Sequence, residues 1–588
     1  MQLKPNYNKS PYVPVKGMEE ACTTGWKTIG KAIQDTLTKL AAQKQVIVIE
    51  TYQGVLYKDL LAKFGKLLTP EMVIDTADIL YSEKKIREIT QPDVTDHRIF
   101  GYMTRLQMND LMDPTRTAAA REKIHSNRSG LVLVFGYGAS LVWKHPDLLI
   151  YADMARWEIQ LRMRNNRVSN LGINNIEDHI EPKYKRGFFV DWRICDRLKK
   201  QTMDRWDYVL DSNDPQNPKL ATGEAVRKGL RQAATQPFSV VPLFDPGPWG
   251  GQWMRDRFDL DKEPENFAWC FNCIPEENSM LLGFGATMFE IPSINLVFYQ
   301  ARQLLGDAVH ARFGDEFPIR FDFLDTMAGG NLSLQVHPLT EYIQEKFGMH
   351  YTQDESYYLV DAEEDGSVYL GLKEGIDREQ MISELHHAEQ TGNTFHPEKY
   401  VENFPAKKHD HFLIPAGTIH CSGRNGMVLE ISATPYIFTF KLYDWGRVNL
   451  DGKPRPINLD HGIANIQWDR TTEWSRKNLV NRIEKIAEGD GWTEERTGLH
   501  EREFIETRRH WFTRSVPHNT RDGVQVIALV EGDEIVVESP SNAFDPFTVH
   551  YAEVFIVPAA VGAYTIRPSL QDPKKPYATV KAFVRTNP

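Results

Sequence analysis

The feature that most constrains this chain is a change of hydrophobic period near residue 235. Before it, short apolar runs alternate with longer amphipathic stretches. QVIVIE (45–50), GLVLVFGYG (130–138) and DLLIYADM (147–154) read as buried strands, while KDLLAKFGKLL and ARWEIQLRMRNNRV carry apolar residues three and four apart and read as helices. That alternation predicts a parallel α/β domain. After residue 235 Pro and Gly become frequent and β-like runs follow one another: MLLGFGATMFEIP, IRFDFLDTM, LSLQVHP, ESYYLVDAE, GSVYLGL, then HDHFLIPAG, GMVLEISA and IFTFKLYDW. Helical patterns interrupt them near 340–348, 376–390 and 472–488, and residues 500–588 are again β-like. With 588 residues the chain is too long for one core. The expected organisation is multidomain α/β plus β: a parallel α/β domain over 1–235, a β domain with helical segments over 236–485, and a second β domain over 486–588.

Composition narrows the partners. The net charge is −11 and no basic block tracks a phosphate backbone, which argues against nucleic acid. The longest apolar runs fall short of the roughly 18–20 residues a membrane span needs. MQLKPNYNKSPYVPVKGMEE has no apolar signal core, and five cysteines form a sparse, odd set suited to a reducing compartment. A cytoplasmic protein is expected, with its oligomeric state open.

Chemistry concentrates in 331–420. Gln335 and His337 are two apart on a strand-like segment and so share a face. Glu355 begins another strand, and His420 follows the tight IPAGT turn. Two imidazoles, a carboxylate and an amide oxygen suit a borderline divalent cation, Zn²⁺ first, with Mn²⁺, Fe²⁺ or Co²⁺ as other options. By spacing alone, hydrogen-bonded strand residues remain an open alternative. Cys421 alternates to the face opposite His420, and Cys270 and Cys273 form a lone CxxC without the second pair a zinc site would want.

LSLQVHP, the glutamate strand carrying YY, the IPAGTIH turn, PWGGQWMRDRF (248–258), FDFLDTM and LYDWGR (442–447) occur in order and together resemble the type I phosphomannose isomerase family of the cupin superfamily. The resemblance implies two cupin-type β-barrels, the second metal-free, and a zinc enzyme interconverting mannose 6-phosphate and fructose 6-phosphate. It implies metal ligands at Gln335, His337, Glu355 and His420 and a phosphate-contacting Ser333, and it carries the family's arginine position onto Lys441, taken as a catalytic cation that also meets substrate; Arg447 is taken as a second catalytic cation, as a compensating group. The cationic half departs from the family: Gln353 stands where it has a lysine, Gln252 follows WGG, Lys441 replaces an arginine, and Ile437 replaces an acidic residue. Lys407, Lys408, His409 and His411 in PAKKHDHF, or Arg424 or Arg447, could compensate. Otherwise the chain isomerises another sugar, or is a sugar-phosphate-binding regulatory protein without turnover.

Within 40–215, LLIYADMARWEIQLRMRNN and FFVDWRICDRLKKQTMDRWDYVLD resemble the strand and lid helix of nucleoside kinases. The phosphate loop is missing: ETYQGVLYKDL keeps only Gly54 and has no GK[ST]. A degenerate kinase-like domain is expected, with Arg156, Arg162 and Arg164 as candidate anion contacts or as a solvated helix face.

Overall fold

A computed structural model describes residues 6–40, 42–433, 438–448, 455–498, 500–570, 572 and 574–586. The chain packs as two compact units, one of residues 12–233 with 275–300, the other of 234–274 and 301–588 with the first residues of the chain.

The first unit is built on a seven-stranded sheet in the order Cys22–Thr24, Lys219–Thr222, Tyr208–Asp211, Leu148–Asp153, Lys44–Thr51, Gly130–Gly136, Met72–Asp75. The last five of these run parallel, and the first two pair antiparallel at one edge. Val46, Ile47, Val48 and Ile49 are all buried, as a parallel strand covered on both faces requires. Tyr57–Leu68 buries Leu60, Phe64 and Leu68, so the three-and-four spacing read in KDLLAKFGKLL is the packed face, and Trp26–Leu40 buries Ile29, Ile33 and Leu37 in the same way. Residues 275–300 belong here because Ser279–Phe284 pairs in parallel with Tyr12–Pro14 and in antiparallel with Thr287–Pro292. Strand propensity locates these segments but says nothing of such a distant partner.

The loop after Lys44–Thr51, where a kinase would cradle phosphate, is closed from inside. Arg162 is buried and donates to the carbonyls of Gly54, Ser212 and Asn213 and to Glu158. Gly54 has φ 107, and a Cβ there would lie 2.6 Å from Ile159. Arg156 is also buried, against Asp196 and over the Trp192 ring. Neither arginine is on a solvated face.

The second unit holds two pairs of antiparallel sheets. In the first pair, a six-stranded sheet runs His411–Ile414, Glu355–Ala362, Gly426–Ala433, Ile319–Asp325, Trp269–Cys273, Leu243–Asp245. Its five-stranded companion runs Val401–Pro405, Ser367–Leu372, His420–Ser422, Leu334–Val336, Phe440–Tyr443. The second pair sets six strands (Glu484–Gly489, Trp492–Gly498, Ile505–Phe512, Tyr577–Val584, Gln525–Glu531, Val554–Val557) against four (Val516–Asn519, Ala563–Pro568, Glu534–Glu538, Phe547–His550). Phe512, Ile527 and Leu529 of the larger sheet pack on Val516, Ile535, Val537 and Ile566 of the smaller. The helices expected near 340–348 and 376–390 are Thr340–Phe347 and Arg378–Thr391. The helix expected over 472–488 stops at Asn478; Glu484–Gly489 is instead a strand, turned back onto Trp492–Gly498 through Asp490-Gly491. This edge hairpin is half exposed, so its charges imitate a helix face, while the Asp-Gly turn is the signal that identifies it.

Candidate metal centre

The centre lies between the first pair of sheets. Gln335 pairs directly with His420 across neighbouring strands and with Lys441 on its other side, so all three side chains emerge on one face. Glu355 begins the second strand of the facing sheet. His420 is set by the turn before it: Gly417 has φ 85, and buried Arg470 donates to the Pro415 and Ala416 carbonyls and to Thr418.

His337 Nε2 lies 3.0 Å from Glu355 Oε2, and His420 Nε2 lies 2.8 Å from Glu355 Oε1. All three side chains are essentially buried. Each imidazole spends its other nitrogen on the backbone: His337 Nδ1 is 3.1 Å from Phe438 O, and His420 Nδ1 is 2.9 Å from Thr418 O. A carbonyl oxygen only accepts, so both Nδ1 atoms carry hydrogen, and both Nε2 lone pairs face a carboxylate. Neither His337 Nε2 nor Glu355 Oε1 has a hydrogen-bond partner, despite those short separations. Acceptors set against acceptors in a buried site need a cation between them. The same Nδ1–carbonyl bonds are those that orient metal-bound histidines. Among the described residues these three form the one group of His, Cys, Asp or Glu side chains close enough to share an ion. Gln335 Nε2 sits 3.1 Å from His420 Nε2, and turning the amide over presents its oxygen to the same point.

The other sequence-derived candidates are arranged differently. Ser333 donates to Asp444 at 2.9 Å, and Asp444 also receives Arg447 at 3.3 Å and Arg455 at 3.0 Å. Burial pushes up the thiol of Cys421, the residue that alternates away from His420. Ile437 lies outside the described residues. Lys408 and His409 meet Glu531 of the second sheet pair, the latter at 3.1 Å, and His411 is fully buried against Thr497 O. The PAKKHDHF run therefore joins the two sheet pairs. The WGG segment packs where its motif partner lies: Met254 N donates to Asp325, and a Cβ on Gly251 would come within 2.1 Å of that carboxylate. Cys270 and Cys273 are buried free thiols raised by burial.

Sequence reasoning missed the carboxylates behind the centre. Asp322 and Glu430 are paired across neighbouring strands on the Glu355 face, with Arg320 3.2 Å from Asp322. Gln353 Nε2 bridges Glu355 at 3.1 Å and Glu430 at 3.4 Å. Burial pushes Asp322 up to about 6, and burial together with Asp322 and Glu355 holds Glu430 well above its ordinary value. The available signal was charge at i and i+2 in IRFDF, and the lone Glu in MVLEIS, inside otherwise apolar strands.

Residues 25–235 match a family model described as a domain of unknown function, DUF8485. The mannose-6-phosphate isomerase ManA of Bacillus subtilis is 25% identical over 239 residues, covering 40% of this chain and 69% of that protein. The mannose-6-phosphate isomerase of Streptococcus mutans is 26% identical over 219 residues, covering 37% and 63%. Among solved structures, the mannose 6-phosphate isomerase from Bacillus subtilis superposes with a TM-score of 0.48 at 18% identity, covering 60% of this chain and all of the other.

Proposed function

We propose that this chain is a metal-dependent aldose–ketose isomerase that interconverts mannose 6-phosphate and fructose 6-phosphate. The observation that carries the reading is the convergence of two imidazole lone pairs on a buried carboxylate, inside the segment where the isomerase-like motifs fall in order. Relatives that bear the name mannose-6-phosphate isomerase support it. His337, Glu355 and His420, with Gln335 by its amide oxygen, would hold the ion, zinc first. When bound, a divalent cation supplies Lewis-acid stabilisation of negative charge that develops on the sugar oxygens. Lys441 shares the face of Gln335 and His420 and is read as the cation that meets substrate. Arg447 and Ser333, both held on Asp444, are read as the phosphate side of the site. Glu430, beside Glu355, is the carboxyl read as carrying the proton between C1 and C2. The site belongs, on this reading, to the first of two cupin-type barrels, and residues 12–233 to a degenerate kinase-like domain without ATP chemistry.

The test is turnover of mannose 6-phosphate by zinc-loaded protein in a coupled assay, with His337→Ala as control. Turnover that a chelator and His337→Ala both abolish is the expected result. No turnover of any hexose phosphate by metal-loaded protein sinks the reading, and favours the non-catalytic binder suggested by Gln353 in the lysine position.

A further inference from the structure

The second pair of sheets holds a partly open cavity of about 450 Å³ lined largely by polar and charged side chains, next to its apolar core. Its wall is set by register. Glu494 pairs with His510, and Arg508 pairs with Lys581 two residues along, so these four lining side chains share one face, with Thr579 behind them opposite His510. His518 comes from the opposing sheet, stacked on Tyr564 and 4.5 Å from the His510 ring.

The buried groups here are incompletely satisfied. His510 Nε2 is 3.2 Å from Glu494, so it donates there and leaves Nδ1 as an acceptor. Lys581 Nζ, which only donates, is 3.5 Å from His518 Nδ1, so the neutral ring carries its hydrogen on Nε2. His510 Nδ1, His518 Nε2 and Thr579 Oγ1 are all buried without a hydrogen-bond partner. Lys581 is 6% exposed, and Glu494 stands 3.9 Å away, too far for a close pair. Arg508, Arg521, Arg585 and Lys581 line the cavity against Glu494 and Glu506, an excess of positive charge. Burial pushes His510 down to about 4 and Lys581 down to about 8, so the rings are neutral and the ammonium charged at neutral pH. A metal ion does not suit an ammonium at the centre. An anion does, and the free donor and acceptor beside it suit hydroxyl groups.

We infer that this cavity binds a small polyhydroxylated anion, either a sugar phosphate or a sugar acid, at a site separate from the metal centre. Its volume fits one such molecule. The inference does not rest on the isomerase reading, so the test uses the full chain carrying His337→Ala. Titration calorimetry is run with glucose 6-phosphate, gluconate, inorganic phosphate and glucose. One of the two sugar anions should bind with a dissociation constant below about 1 mM. Lys581→Met and Arg508→Gln should each weaken it by at least about tenfold with melting temperatures retained. If Lys581→Met does not fold, Arg508→Gln at the partly exposed wall decides. The inference is overturned if neither sugar anion binds, if the folded variants bind unchanged, or if inorganic phosphate binds as tightly as the sugar anions.

Discussion

The two pairs of sheets in the second unit solve the same problem with opposite charges. Each sets two buried histidines near a glutamate, His337 and His420 with buried Glu355 in the first, His510 and His518 with part-buried Glu494 in the second. In the first, both rings spend Nδ1 on backbone carbonyls and turn their remaining lone pairs on one carboxylate, which creates a demand for a cation. In the second, only one ring meets the carboxylate, and Lys581 supplies the cation from the chain itself. On the two proposals made above, ring tautomer and one lysine, not the count of histidines and carboxylates, set which ion each site would take.

The largest effect that tests this contrast comes from Glu355→Gln. Removing the charge shared by both rings should lower metal content and isomerase turnover by more than about a hundredfold, beyond what loss of a supporting hydrogen bond costs a metal site. Glu494→Gln should leave metal content unchanged. Equal loss of zinc in both variants, by elemental analysis, would erase the distinction between the two sites.

Acid should act next. His411 is fully buried between the two sheet pairs, with Nδ1 3.0 Å from Thr497 O and Nε2 without a partner. Burial, aided by Arg509, pushes it down to about 3. The unfolded chain therefore binds a proton that the folded chain refuses between an ordinary histidine pKa of about 6.5 and about 3. His411 thus contributes stability that is full above that upper value and is lost as pH falls through the window. At pH 5 the loss relative to pH 7 is of order 2 kcal/mol. His411→Gln keeps a donor for Thr497 and cannot titrate. Its denaturation midpoint should fall less between pH 7 and pH 5 than that of the parent chain, and identical slopes would refute the assignment.

How much of this was legible depended on the range of the signal. Strand alternation made Gln335 and His337 share a face, and local period made Lys44–Thr51 and Tyr57–Leu68 readable, because each depends on residues a few positions apart. The pairing of Ser279–Phe284 with Tyr12–Pro14 joins segments with the whole parallel α/β sheet between them in sequence and leaves no local trace. Ser333 was legible as a motif member, but its bond to Asp444 was not. The second cavity was hidden for the same reason: TRRHWF reads as a charged strand until register sets Arg508 and His510 beside Lys581.

A smaller change tests how finely the first site is tuned. Gln353→Leu removes the amide that donates to Glu355 and Glu430 and leaves two neighbouring buried carboxyls without it. Metal affinity should fall by roughly tenfold to a hundredfold, the range for a partner behind a ligand. An unchanged affinity in competition with a chromogenic chelator would mean that Gln353 only fills space.

The smallest effect concerns what joins the two sites. Glu531 of the second sheet pair receives Lys408 and His409 from the first, and His409 is fixed further by Tyr358 at 2.9 Å and by Arg509 on its carbonyl at 2.9 Å. His409 first, then Lys408, hold the Glu531 carboxyl down to about 2. Because the folded pKa lies below the unfolded one, this tie contributes stability above an ordinary carboxyl value of about 4.5, lost as pH falls toward the folded value. About a third of the side chain meets solvent, which screens the pair, so Glu531→Gln should cost only about 0.5–1 kcal/mol at pH 7. The cost should shrink in molar salt and at pH 3. It should also leave metal content and sugar-anion binding unaltered, because no ligand of either site leans on Glu531. A larger loss that salt does not reduce would mean that the tie is a packing contact, and that the two sheet pairs are held by apolar surface alone.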